Sequence, residues 1–309
     1  MIKKEYRSVF AEIGMTDKEI NEKIQAAVQE FFYSENRLYH ETADDMAYIE
    51  DTGNKDIRTE GMSYGMMLCV QLDMRPQFDR LWKWAKKYMY MTGGENEGYF
   101  AWSCRTNGEK NAHGPAPDGE EFFAMALLFA SHRWGDGDGI YDYSHEAREL
   151  LHACIHKGEN GRPGAPMWNR ENKLILFGPG CDFTDASYHL PHFYTLFAEW
   201  AYEEDKAFYA AAAEASRRYL AAACHPVSGM SPEHAFRQKS KRLNTEHSAA
   251  FLSVICYFLS VTRRSCRSRL RLRLCSRAGC QRLCISTGEH LRCRLSICRK
   301  RQEPCRSCG

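Results

Sequence analysis

The stretch GEEFFAMALLFASHRW, residues 119–134, is apolar almost all the way round a helical wheel. A helix at a protein surface carries one apolar stripe, so a helix apolar on every side must be enclosed by other elements. This one feature predicts an inner helix and rules out a thin or single-layered fold. The rest of the chain supplies helices to enclose it. MTDKEINEKIQAAVQEFF opens with Thr16 and Glu19 in capping-box spacing and sets Ile20, Ile24, Ala27, Val28 and Phe31 on one face. RPQFDRLWKWAKKYMY places Phe78, Leu81, Trp82 and Ala85 at helical spacing, and SHEARELLHACIHKG has Ser144 as a cap and Gly158 as a stop. LPHFYTLFAEWAYEE and DKAFYAAAAEASRRYLAAAC add two more. Period-two strand patterns are rare.

The links between these helices are long and rich in Gly, Pro, Asn and Asp, as in YMTGGENEGYFAWSCRTNGEKNAHGPAPDG. Connections of that length inside a compact domain usually build a site. Helical hairpins with their long loops gathered at one end predict an α/α toroid.

Charge and cysteine usage divide the chain. Residues 263–309 hold 13 Arg and one Lys against two Glu, with eight Cys and no Phe, Tyr or Trp. Residues 1–262 hold 28 basic and 38 acidic residues and six scattered Cys, namely Cys69, Cys104, Cys154, Cys181, Cys224 and Cys256. Thiols set among apolar neighbours read as small buried hydrophobes of a reduced compartment. No run of about 18 apolar residues occurs, and the N-terminal stretch turns polar too early for a secretory signal. The expectation is a soluble, cytoplasmic protein with no membrane partner.

Three stretches concentrate acids, aromatics and glycines. Glu60 stands at the start of EGMSYGMM, where it can cap a helix or donate a proton. Asp118 and Glu121 have the spacing of an N-cap and its capping-box partner, a reading that stands beside a functional one. Asp185 in FTDASYHLPHFY can likewise cap the helix that follows. His189 and His192 are three apart with Pro191 between them, yet no third ligand at a familiar spacing supports a metal, so none is expected. Trp102 sits in a loop, GYFAWSC, where an aromatic face can stack on a sugar ring.

Taken together, RTEGMSYGMM, GYFAWSC, PAPDGEEFFAMALLFASHRW and FTDASYHLPHFY resemble family 8 glycoside hydrolases over roughly residues 5–235. Pro117, Glu120 and Phe123 depart from the general family signature in the manner of the subgroup that releases xylose from the reducing end of xylo-oligosaccharides. The resemblance implies an (α/α)6 toroid, incomplete at its C-terminal end, that cleaves β-1,4-linked glycans with inversion and without a cofactor. It implies Glu60 as general acid, Asp118 as the acid that positions sugar and stabilises developing charge, and Trp102 as a stacking platform. Tyr64, Asp185, Tyr188, His189 and Tyr194, from the same stretches, are the further expected substrate contacts. A protonated carboxyl suits the task, because a glycosidic oxygen leaves poorly until it receives a proton. Gly61 and Gly65 are expected to let backbone or sugar approach beside Glu60.

Inversion also requires a base across the sugar, roughly 6.5–9.5 Å from the acid. The family places an Asp where this chain has Ser253 and Val254, and no Asp follows Asp205. The chain therefore divides as residues 1–236, a partial hydrolase domain; residues 237–262, where the family pattern lapses; and residues 263–309, a disordered Arg/Cys-rich tail outside the family. Out-of-frame translation of GC-rich coding DNA accounts for such a tail. A zinc module has only Cys305 and Cys308 as a C-x-x-C, and Arg without aromatics argues against a nucleic-acid partner. The alternative functions are a catalytically dead carbohydrate-binding protein of the same fold and an endo-acting β-1,4-glucanase or xylanase.

Overall fold

The computed structural model describes residues 8–225, residue 229, and the backbone of strands within 270–298. The chain divides into two units, residues 28–248 and residues 1–27 with 249–309. The second unit contains α1 (Val9–Glu12), nearly all of α2 (Asp17–Val28) and four short strands. The capping box forms as expected: the Thr16 amide donates to Glu19 at 2.8 Å, and the Glu19 amide donates to the Thr16 hydroxyl at 3.3 Å. The apolar face of α2 is not buried, and Ile24 is 40% exposed.

Residues 28–248 hold the core. A hairpin of β1 (Tyr39–Thr42) and β2 (Met46–Ile49) leads to β3 (Ile57–Arg58), which runs directly into α3 (Thr59–Gln71). Next come α4 (Arg75–Trp84), β4 (Ser103–Cys104), α5 (Pro117–Trp134), α6 (Tyr143–His156), α7 (Pro191–Trp200) and α8 (Glu203–Ala223). α3 packs on α4 and α5; α5 packs on α6 and also touches α7; and α7 packs on α8. The inner helices α3, α5 and α7 thus alternate with α4, α6 and α8. This is the inner–outer alternation of an (α/α)6 toroid, seen over three helix pairs among the described residues.

The enclosed helix is α5. Phe123 through Leu128 and Ala130 are all 0–1% exposed, and even Glu120 and Glu121 are 1% exposed. On α4 the predicted face is in place, with Phe78 and Leu81 at 0% and Trp82 at 1%. Truncating Trp82 to Ala would cost about 3–5 kcal/mol on the general scale for large core aromatics. α6 begins one residue before the expected cap. Asp142 is the N-cap, accepting from the His145 amide at 3.2 Å, and Ser144 instead donates its amide to Asp136. Gly158 does end that helix, with φ +81°.

In the tail, β5 (Leu270–Arg277), β6 (Cys280–Thr287), β7 (His290–Leu291) and β8 (Ser296–Cys298) pair antiparallel around β6. The boundary segment 237–262, with Cys256, Ser253 and Val254, lies outside the described residues, as do Cys305 and Cys308. Cys69, Cys104 and Cys154 are buried free thiols, as the spacing of apolar neighbours predicts. No helix among the described residues is long and apolar enough to cross a membrane.

Candidate active site

The site grows from a two-residue ladder. β3 pairs antiparallel with β4, Ile57 opposite Cys104 and Arg58 opposite Ser103. The Thr59 amide then donates to the Trp102 carbonyl at 3.0 Å, so the first turn of α3 and the loop carrying Trp102 are joined through backbone. Glu60 follows at once, in that first turn. Asp56 secures the neighbourhood: it accepts from Arg58 Nε at 3.0 Å and from the Ser103 hydroxyl at 2.8 Å. The Arg58 guanidinium lies 5.3 Å from the centre of the Trp102 ring, over one of its faces.

α5 meets α3 tip to tip. A Cβ built on Gly119 would lie 2.4 Å from both Cβ and Oγ1 of Thr59, an approach only glycine permits. Asp118 and Glu60 therefore flank one helix–helix contact. Pro117 occupies the first position of α5 and Ala116 its N-cap, so the capping-box reading of Asp118 and Glu121 does not hold. Asp118 accepts a 3.0 Å bond from the amide of Gly119 and is buried.

Burial, first of all, raises both carboxyls above the ordinary range. For Glu60 the Asp51 charge adds to this, while its own backbone amide and Arg58 oppose it. Asp118 is pushed well up, with the Glu60 charge as the second cause. The two acids repel each other when both are ionised, so they titrate as a coupled pair.

Tyr64 and Tyr188 share the neighbourhood. Burial raises both hydroxyls above the ordinary phenol value, and the charges of Asp118 and Glu60 raise them further. Tyr64 sits edge-on to Phe122 with ring centres 4.5 Å apart. Tyr188 ends a short 3-10 turn, Ala186–Tyr188, capped by Asp185, which accepts from the Ser187 amide at 2.8 Å and hydroxyl at 2.7 Å. Asp185 is thus the cap its sequence position allowed.

Two of the expected sugar contacts stand behind the wall of the site. Tyr194 is 0% exposed, and its hydroxyl lies against the Glu121 carboxyl and 3.0 Å from the Tyr188 carbonyl. The Tyr194 hydroxyl donates to the Glu121 carboxyl, and burial holds Glu121 well above the ordinary carboxyl range. His189 is 5% exposed, with Nε2 2.7 Å from the Thr184 hydroxyl, Nδ1 2.7 Å from the Ser216 hydroxyl and the Tyr219 ring stacked on it. Both ring nitrogens are occupied, and burial lowers its pKa to about 4. Gly61 and Gly65 serve packing: added Cβ atoms would meet Ile49 at 3.4 and 2.8 Å.

Sequence reasoning did not single out Arg58 or Asp51, and it read Glu121 only as a capping partner and Glu120 only as a departure from the family signature. Glu120 accepts from the Phe100 amide at 2.9 Å, and burial pushes it up to about 8. Its adjacency to Asp118 on an inner helix was the available signal. Among the described residues, the group able to hold a metal ion is His152, His156 and Asp205, none of which belongs to this site.

Two buried carboxyls, both raised by burial, thus stand at the tips of adjacent inner helices of a toroid fold, beside a loop tryptophan. The chain belongs to glycosyl hydrolases family 8, whose profile it matches over residues 34–258. It is 58% identical to a reducing end xylose-releasing exo-oligoxylanase of Halalkalibacterium halodurans over 75% of this chain and 61% of that protein. It is 52% identical to one from Bifidobacterium adolescentis over 74% of this chain and 60% of that protein. A crystal structure of such an enzyme, a Glu→Ala variant complexed with xylobiose, superposes with a TM-score of 0.74 at 57% identity, covering 75% of this chain and 62% of that one. The chain spans about three-fifths of the length of these relatives.

Proposed function

We propose that the chain carries the acid half of an inverting glycoside hydrolase acting on β-1,4-linked xylo-oligosaccharides at their reducing end. The observation that carries this reading is the pair Glu60 and Asp118, both raised by burial at the contact of α3 and α5. Glu60 is the general acid that protonates the leaving oxygen. Asp118 positions the sugar and stabilises oxocarbenium charge. Trp102, with Arg58 on one face, offers its other face for stacking, and Tyr64 and Tyr188 lie within reach of the same charges. A sugar that displaces water from the site raises Glu60 further, which favours the protonated acid. The names of the relatives support the choice of xylo-oligosaccharides.

A second reading is favoured by the sequence beyond Asp205, which contains no Asp to serve as base. On that reading the chain binds xylo-oligosaccharides without turning them over. Calorimetry with xylobiose and a xylotriose hydrolysis assay on the full chain separate the two. Binding with very low hydrolysis is expected; robust turnover with inversion would refute the loss of the base, and absence of binding would sink the sugar site itself.

A further inference from the structure

Away from the two carboxyls, α6 and α8 bring together three groups that the glycosidase reading does not use. His152 and His156 are four residues apart on α6 and so share one face of the helix. Asp205 stands in the first turn of α8. His152 Nδ1 lies 2.9 Å from Asp205 Oδ2, and His156 Nε2 lies 2.7 Å from Asp205 Oδ1. One donor atom from each residue falls within 4.8 Å of the others, a span that a single ion can bridge. The carboxylate forms the floor, with its side chain 0% exposed, while the rings are 40% and 34% exposed and open to solvent.

Glu159 adds an outer partner. Its carboxylate lies 2.9 Å from His156 Nδ1, placed to hold a proton there and leave Nε2 for ligation. His156 Nε2 lies 2.7 Å from Asp205 Oδ1, where a proton bridges them in the free protein and a divalent ion bonded to both atoms can take its place. The geometry points to a divalent transition-metal site, ligated by His152, His156 and Asp205 and oriented from behind by Glu159. Two imidazole nitrogens and one carboxylate oxygen select Zn²⁺, Ni²⁺ or Cu²⁺ over Mg²⁺ and Ca²⁺, which take oxygen donors. Water fills the remaining positions on the exposed side. The ion ties α6 to the start of α8 and takes no part in the chemistry at Glu60.

The test uses the full chain, freed of metal and titrated with Co²⁺ under reducing conditions. Cysteine ligation produces an intense sulfur-to-cobalt band in the near ultraviolet, whereas nitrogen and oxygen ligation produces only visible d–d absorption, so the thiols of the tail are told apart from this site. One Co²⁺ per chain with nitrogen/oxygen absorption, displaced by Zn²⁺, is expected. His152→Ala and Glu159→Gln should each weaken it at least about tenfold. His152 is partly exposed, and circular dichroism checks that its variant stays folded. A chain that shows only the thiolate band, or variants that bind like the parent, overturns the site.

Discussion

Gly119 sits so close to Thr59 that no side chain fits between α5 and α3 at this point; an added Cβ would stand 2.4 Å from the threonine's Cβ and Oγ1. Because Asp118 and Glu60 are the chain neighbours of these two residues, the spacing of the two acids follows from this contact. Gly119→Ala should force the helix tips apart, at a cost of about 1–3 kcal/mol typical of overpacking. Thermal unfolding would measure that loss, and xylobiose affinity should fall with it. A variant with unchanged affinity would show that the acids are positioned by other contacts.

The coupling of the two acids can be tested directly. Glu60→Gln removes the charge that is the second cause of the raised Asp118. Asp118 should then titrate at lower pH, while burial still keeps it above the ordinary carboxyl range. Carbon-13 NMR of labelled aspartate follows this carboxyl through the titration. A titration midpoint that does not move contradicts the coupling.

Glu120 sets a stability trend on the alkaline side. Its folded pKa of about 8 stands above the ordinary 4.5, so the native state holds a proton that the unfolded chain releases. The contribution is fully present below pH 4.5 and is lost as pH rises through about 8. Glu120→Gln, which imitates the neutral acid, should fold at neutral pH and flatten this part of the denaturation-midpoint profile. A slope equal to the parent's would assign the trend to another group.

His189 acts with the opposite sign. Its folded pKa of about 4 lies below the ordinary 6.5, so its contribution is present above pH 6.5 and is lost as pH falls through about 4. His189→Gln, which keeps hydrogen bonding toward Thr184 and Ser216 without titrating, should reduce the acid sensitivity between those values. Urea midpoints at pH 4 and pH 7 provide the comparison.

Much of this architecture was legible before any coordinates. The all-round apolarity of residues 119–134 required an enclosed helix, and α5 is one. Pro117 also held a legible clue that the capping-box spacing obscured: proline belongs at the first helical position, which moves the N-cap to Ala116 and frees Asp118 from capping. The Gly119–Thr59 approach was not legible, because it joins residues 60 positions apart through shape alone. His189 and Tyr194 were misplaced for a related reason. A polar side chain in a motif-rich stretch looks like a ligand contact, and only the positions of Ser216, Thr184 and Glu121 reveal that each is bonded inward. The i, i+4 histidines of α6 were visible as a spacing, but Asp205 reaches them only through the packing of separate helices.

The backbone bond from Thr59 to Trp102 has a consequence for how such a cleft can diversify. The acid-bearing turn and the aromatic platform are stitched by main chain, whose hydrogen bonding is indifferent to side-chain identity. The Trp102 amide in turn donates to the Gly114 carbonyl at 3.0 Å, so the segment between Cys104 and Pro117 is closed at its base by main chain as well, and its tip near Asn107 is the part left to vary. That tip can lengthen, shorten or change composition among descendants while the distance from Glu60 to Trp102 stays inherited.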